Sequence, residues 1–247
     1  MLNWSEVLKP LDDFFNKIEP YKIHIISTIS IVVALSVGTF GYFYYKQNRE
    51  ERAFRALTTA LEYFDAPITK AEDRKDDDLS IFGKKEFSNE QEKWQKVESV
   101  FREEYNNFRN SNIASFFLAY QAEALIKQSK LHDAAEVLSI AIPKMSDKDA
   151  KSFYNIKLAL VQIDTKENVS IQNGLERLRS IASEENNPAH DLSLYHLGEY
   201  YWNQKNFKEA KNYWNQLVLK YDQDSKYPSP WSSEAKKKLK LIDRDVK

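Results

Sequence analysis

Cysteine is absent from the 247-residue chain. That removes disulfides, thiolate metal sites, cysteine nucleophiles and a lipidated cysteine together, and it is compatible with an oxidising compartment. Glycine is scarce: Gly38, Gly41, Gly83, Gly174 and Gly198 are all there are, and they form no cluster. A loop that cradles phosphate needs closely spaced glycines ahead of a helix, so nucleotide-binding fingerprints are excluded. A charge excess is missing too, since 36 Lys and Arg stand against 37 Asp and Glu, for a formal net charge of −1. With both signs interspersed, no strong field draws in nucleic acid or an acidic substrate. Few prolines among abundant Leu, Ala, Glu, Lys and Gln favour an all-α chain.

Catalytic and metal chemistry have equally little to stand on. His24, His132, His190 and His196 are scattered, and His190 and His196 lie at the wrong interval to share a helix face. The run EDRKDDD at 72–78 places three carboxylates side by side, where they point in different directions on a loop. A solvated linker is expected there. Acids elsewhere sit near Lys, which reads as solubility and weak support between helical turns. No catalytic residue, cofactor, metal site or small-molecule substrate is predicted.

The one long apolar run is IHIISTISIVVALSVGTFGYFYY at 23–45, which holds no acid, Lys or Arg. As a helix it would be about 34 Å long, against a hydrocarbon core of roughly 30 Å. Eleven Ile, Val, Leu and Phe residues outweigh the modest penalties of Ser, Thr, Gly and neutral His24. Tyr21 on one side and Tyr42, Tyr44 and Tyr45 on the other suit the two interfaces, where a ring is half buried and its hydroxyl stays wet. A cleaved signal would have a shorter core and a small-x-small end; Ser36-Val37-Gly38 is a weak match, and bulky aromatics follow it. The intact mass of the mature protein separates the two. Flanking charge does not orient the span, because Lys9, Lys17 and Lys22 face Lys46, Arg49, Arg52 and Arg55. Ser30, Ala34 and Gly38 recur every four residues and share one face, a candidate helix-packing face against a membrane partner.

The segment 1–22 has Trp4, Leu8, Leu11, Phe14, Phe15 and Ile18 near helical spacing, interrupted by Pro10, and predicts a short interfacial helix. Linking helices and a charged linker are expected over 46–110. Ala53, Ala56, Leu57, Ala60, Leu61 and Phe64 continue the helical recurrence until Pro67 stops it. Residues 66–93 read as a mobile connection outside the core. Ser88 or Asn89 caps the next helix, whose stripe is Trp94, Val97, Val100, Phe101, Tyr105 and Phe108. From 111 to 247, helices alternate with turns at 110–112, 127–130, 145–149, 165–169, 185–188 and 203–206.

That alternation hides a repeat. Around Gly198 stand Leu194, Leu197, Tyr201, Ala210, Trp214 and Leu217. Around Ala122 stand Leu118, Leu125, Ala134, Leu138 and Ala141, and a middle unit offers Leu158, Val161, Gly174, Leu178 and Ile181. Small residues such as Gly198 and Ala210, or Ala122 and Ala134, are expected to face each other where two helices cross closely. One such hairpin leaves an apolar face open, so it must stack on a neighbour. The expected architecture is an α-solenoid of helical hairpins behind a single transmembrane helix.

The Leu-Gly-x-x-Tyr, Ala, Trp spacing at 197–214 resembles a tetratricopeptide repeat, while Ala122 and Gln162 stand at its small glycine position in the earlier units. YPSPWSSEAKKKLKLI at 227–242 is similar to the capping helix of bacterial arrays, with Ala235 and Leu239 on its buried side. The order of parts, with SFFLAYQAEALIKQSKLHDAAEVL at 115–138 and AKSFYNIKLALVQI at 150–163, is similar to the YfgM-like family. Its members are membrane-anchored ancillary subunits of the bacterial Sec translocon. The resemblance implies an amino terminus in the cytoplasm, a single pass through the inner membrane and a repeat domain in the periplasm. The implied partners are translocon subunits, a periplasmic chaperone and exported client proteins.

In such arrays the first helix of each unit lines a concave surface. Projected here, the protein-binding groove comprises Phe116, Glu123, Ile126 and Lys127, then Ile156, Ile163 and Lys166. Leu192, Tyr195, Glu199, Trp202 and Asn203 complete it, with Tyr195 and Trp202 two turns apart as an apolar stripe. Eukaryotic chaperone-binding repeats clamp a terminal carboxylate with Lys and Asn on these helices. Ala119/Glu123, Ala159/Ile163 and Tyr195/Glu199 stand in those places, so that clamp is not expected. Three non-enzymatic readings stay open: a scaffold beside the translocon, a cytosol-facing organellar import receptor, and an organiser of envelope or division machinery.

Overall fold

The computed structural model describes residues 21–69, 85–222, 224–226 and 228–245. Among these residues are nine helices and no strand. They are α1 (Lys22–Asp65), α2 (Glu90–Phe108), α3 (Ala114–Lys127), α4 (Leu131–Lys144) and α5 (Lys148–Asp164), followed by α6 (Asn168–Ser183), α7 (His190–Asn203), α8 (Phe207–Tyr221) and α9 (Pro230–Asp245). The all-α expectation is met. The interfacial helix expected within 1–20 and the acidic run at 72–78 lie outside the described residues.

The chain divides into two compact units, Met1–Arg52 and Ala53–Lys247. In the first, α1 is long and apolar enough to cross a membrane, with an 18-residue window of mean hydropathy 1.7 of which 0% is buried. A core helix of the same composition would be covered. Three of its hydroxyls bond within the helix: Thr28, Ser36 and Thr39 donate to the carbonyls of His24, Val32 and Leu35 at 2.7–2.8 Å. Bonding back one turn lowers the cost of placing a hydroxyl in an apolar medium.

In the second unit, Ala53 and Ala60 of α1 are buried with Val97 and Phe101 of α2 and Phe117 and Ala124 of α3. Small alanines admit the large rings, so Phe101 stacks on Tyr120 at 5.1 Å and Phe64 meets Trp94 edge-on at 5.4 Å. Asn89 caps α2, its Oδ1 accepting from Glu92 N at 2.8 Å, while Glu92 Oε2 accepts from Ser88 N at 3.1 Å. That reciprocal pair satisfies two backbone donors at the helix start.

One expectation is corrected here. The stretch 66–93 does contribute to the core, at both of its described ends. Ala66 and Phe87 are buried, and Ile68 and Phe87 form an isolated parallel bridge. Thr69 N donates to Phe87 O at 3.0 Å, Phe87 N donates to Pro67 O at 3.2 Å, and Lys93 Nζ donates to Ala66 O at 2.6 Å. Burying the Phe87 ring brings two extended backbones together, and they satisfy each other's polar groups.

Beyond Ser111 the helices form three hairpins, α3 with α4, α5 with α6 and α7 with α8, each packing on the next; α9 packs on α8 and α7. Three buried clusters along the array each take in a helix from the next hairpin or the cap. Ala122, Leu138 and Leu158 join α3, α4 and α5; Ile156, Leu178 and Leu197 join α5, α6 and α7; Leu194, Trp214 and Ala235 join α7, α8 and α9. No hairpin completes its own interior, which is the physical content of a repeat array.

The turn inside each hairpin places one residue in the left-handed region: Ser129 (φ 59°), Lys166 (φ 63°) and Lys205 (φ 58°). At Ser129 the reason is explicit. Ser129 N donates to Ile126 O and Lys130 N donates to Leu125 O, both at 2.9 Å. Lys205 N and Asn206 N repeat the arrangement on Trp202 O and Tyr201 O, again at 2.9 Å. Carbonyls left open at the helix end are thereby satisfied, at the cost of a left-handed residue that carries a side chain.

Candidate protein-binding surface

At two crossings of the array a helix passes too close for any side chain beyond glycine. At Gly198 a Cβ would lie 2.2, 2.5 and 2.6 Å from Nε1, Cδ1 and Cε2 of Trp214. The sequence placed Ala210 opposite Gly198; the structure seats the fully buried indole there instead. Its Nε1 donates to Tyr195 O at 3.2 Å, an approach only the bare glycine backbone permits. In the middle hairpin the glycine moves to the second helix, where a Cβ on Gly174 would stand 2.5 Å from Ala159 O and 2.9 Å from Ile163 Cγ1. Gln162, which replaces the first-helix glycine, contributes only its Cβ at 3.3 Å. Contact between the helices is preserved with the small residue on the other partner.

These crossings sort the predicted groove. Two of its members are corrected. Ile156 is 2% exposed, buried between α5, α6 and α7 among Ala159, Leu175 and Leu178. Tyr195 is 8% exposed because α9 covers it: Trp231 lies 5.0 Å from its ring. Its hydroxyl donates to Glu199 Oε1 at 3.1 Å, and burial, then the Glu199 charge, push its pKa up to about 12. His196, 3.4 Å from Glu199, holds that carboxylate below its ordinary range. Trp202 is half-buried against Phe207 at 5.2 Å and Trp214 at 5.8 Å, with Lys238 Nζ of α9 5.5 Å from its ring centroid. The expected apolar stripe therefore belongs mainly to the C-terminal cap.

The remaining positions divide by exposure. Ile126, Ile163 and Leu192 are half-buried against the clusters beneath them. Phe116 is 40% exposed, and Lys127, Lys166 and Asn203 are exposed at or beyond helix ends. Glu123 is half-buried and ion-paired with Lys157 of α5, whose Nζ lies 5.8 Å from the Tyr154 ring centroid. Burial, followed by Tyr120 and Glu123, raises the Tyr154 pKa. Lys157 and Tyr154 escaped the sequence reading. The signal that points to them is the separation of Glu123 and Lys157 by 34 residues, which is one repeat.

The profile of the family described as tetratricopeptide repeat-like domain matches residues 19–231. The chain belongs to this family. No curated protein matches the chain. Tetratricopeptide repeat-like folds typically serve as non-enzymatic scaffolds for protein partners. Among the described residues no three His, Asp or Glu side chains gather in a way that could hold a metal ion.

Within α1, Ser30, Ala34 and Gly38 are exposed, and a Cβ on Gly38 would find nothing within 4 Å. Among the described residues, none lies within 4 Å of that Cβ in this part of the tetratricopeptide repeat-like protein's first helix.

Proposed function

We propose that this protein is a membrane-anchored scaffold that binds partner proteins through its tetratricopeptide repeat-like array. The observation that carries the reading is the combination of stacked hairpins with an apolar helix window of which 0% is buried. An uncovered apolar surface of that length is stable in lipid and a liability in water. We place the span at 23–45, between a cytosolic segment at 1–22 and the linking region at 46–110, with the repeat domain from 111 to 247. The groove would use Phe116, Glu123, Ile126, Lys127, Ile163, Lys166, Leu192, Glu199, Trp202 and Asn203, with Ile156 and Tyr195 as supports beneath it. Ser30, Ala34 and Gly38 would form the face for a membrane partner.

The likeness to the YfgM-like family extends the proposal to an ancillary subunit of the Sec translocon in the bacterial inner membrane. Its repeat domain would lie in the periplasm, beside exported chains and their chaperone. Crosslinking in membranes, mild-detergent purification and mass identification test this. Recovery of Sec subunits supports it; their absence beside division or envelope proteins favours the organiser. Protease access to the repeat domain from the cytoplasm favours an import receptor. Phe116→Ala with Lys127→Glu, in a protein that stays helical, should reduce partner recovery, and unchanged recovery removes the groove. Ala34→Ile with Gly38→Ile applies the same test to the membrane face.

A further inference from the structure

Along the middle hairpin runs an open polar cleft of about 560 Å³ between α5 and α6, lined by Lys151, Asn155, Gln162, Asn173, Arg177 and Ser180 among others. It lies apart from the first-helix positions where Lys and Asn were sought without success. Arg177 is half-buried, and Nη1 donates to Asn155 Oδ1 at 2.7 Å. No carboxylate among the described residues pairs with this guanidinium, and its Nε is buried without a hydrogen-bond partner. Gln162 Oε1 is likewise buried and unpartnered. Burial alone lowers the Arg177 pKa, as it must when no acid offsets the lost solvation.

A buried donor and a buried acceptor left open within one cleft are unusual in a folded chain. Half-burying a cation without a counter-charge is destabilising, and it persists where something else supplies the charge. The exposed acids Glu176 and Glu184 also line the cleft, and Glu184 Oε2 accepts from Asn187 Nδ2 at 3.0 Å. Set against Lys151 and Arg177 they leave the lining without net charge, so a multiply charged anion such as phosphate is disfavoured more than a single carboxylate held beside Arg177. The two open groups call for opposite partners. Arg177 Nε needs an acceptor, and Gln162 Oε1 needs a donor. A peptide carrying a carboxylate offers both, through its acid oxygens and its backbone N–H. The broad terminal torsion of Gln162 lets its amide turn toward the ligand, and the guanidinium offers further N–H groups beside Nε.

We propose that the cleft between α5 and α6 binds a carboxylate presented by a peptide segment of a partner protein, with Arg177 as the charge partner and Gln162 holding the peptide backbone. The inference rests on the scaffold reading, whose partners it describes. The test uses the full chain in detergent micelles and follows the arginine side-chain Nε–Hε signals by nuclear magnetic resonance, with Arg177 assigned from Arg177→Gln. The probes are acetyl-Ala-Ala-Glu-Ala-Ala-amide, its Gln counterpart, acetyl-tetra-alanine with a free terminal carboxylate, and acetate.

The expected result is a saturable shift of the Arg177 signal with the Glu peptide or with the terminal carboxylate, whichever source fits. The Gln peptide and acetate should leave it unmoved. Arg177→Gln should weaken peptide binding about tenfold or more, followed by protein-observed shifts elsewhere in the cleft. Lys151→Gln, a substitution at a half-exposed position, should weaken it less while the chain stays folded. No Arg177 shift with any peptide overturns the site, as does an equal response to acetate. Membrane crosslinking runs in parallel. A missing peptide response with normal partner capture overturns this cleft alone; a peptide response without any partner capture supports the cleft and overturns the scaffold.

Discussion

Replacing Gly198 with Ala adds one methyl group where α8 crosses α7. The new Cβ would stand 2.2 Å from Trp214 Nε1 and 2.5 Å from Cδ1, inside any permissible contact distance. The ring has nowhere to turn, because Trp214 is 0% exposed and its Nε1 is fixed on Tyr195 O at 3.2 Å. Overpacking against a rigid group lies at the upper end of its range, about 3 kcal/mol. Displacing the indole also breaks its hydrogen bond, a further loss of about 1 kcal/mol. Alanine's better helix propensity returns about 1 kcal/mol. The net expectation is a destabilisation of about 3 kcal/mol. Denaturant unfolding of the full chain in micelles, followed by circular dichroism, measures it. Combining Gly198→Ala with Trp214→Leu should show a favourable coupling of about 1–3 kcal/mol, since the smaller side chain vacates the contested space. A Gly198→Ala protein that is more stable than its parent by the propensity difference would refute the packing argument.

Three further outcomes follow from the same structure. Lys205→Gly should stabilise the chain by about 0.5–1 kcal/mol, because φ 58° strains a side-chain-bearing residue at the end of α7; a lower melting temperature contradicts this. His190 is 5% exposed beside Tyr221, with Nδ1 at 3.0 Å from Tyr221 Oη, and burial, then the Lys220 charge, lowers its pKa. The unfolded state therefore takes up this proton more readily, so the stability is complete above about pH 6.5 and lost as pH falls toward the folded value. Replacing His190 with Gln should flatten that part of the stability profile, and an unchanged slope removes His190 as its cause. Trp231→Ala, which strips α9 of its contacts with Tyr195 at 5.0 Å and His196 at 6.3 Å, should cost about 2 kcal/mol. Hydrogen exchange should quicken in α9 and leave α3 protected; equal protection of α9 in both proteins would show that Trp231 does not hold the cap.

Helix limits were the most legible feature of this chain, because turn residues interrupt the helical period at each boundary. The polar run at 203–206, for example, begins on the last residue of α7, Asn203, and ends just before the first of α8, Phe207. Stacking was legible as well, since Leu118, Leu158 and Leu194 announce faces that one hairpin cannot cover. What covers each face was not. An apolar stripe containing Tyr195 and Trp202 has the same spacing whether a client or the chain's own α9 lies upon it. The partner of Gly198 was misjudged for a related reason: an indole reaches far from its own Cα, so Trp214 fills a space that spacing alone assigns to Ala210. Arg177 gave no linear signal, because the lack of a counter-ion is a property of three-dimensional surroundings.

The position of α9 also constrains how the array can meet another protein. Its inner side carries Ala235 and Ile242, 0% and 5% exposed, against Trp214 and Leu217. Its exposed positions include Lys237, Lys240 and Asp243, and Lys211 of α8 pairs with Asp243 at 2.6 Å. A further hairpin stacked on that side would have to strip water from these charges and gain only the half-exposed Leu241 in apolar contact. Hydrophobic stacking ends there for the same reason that terminal repeats require a polar outer face. On the scaffold reading proposed above, partners would engage the sides of the array, where Phe116 and the cleft around Arg177 are open, in preference to the charged outer side of α9.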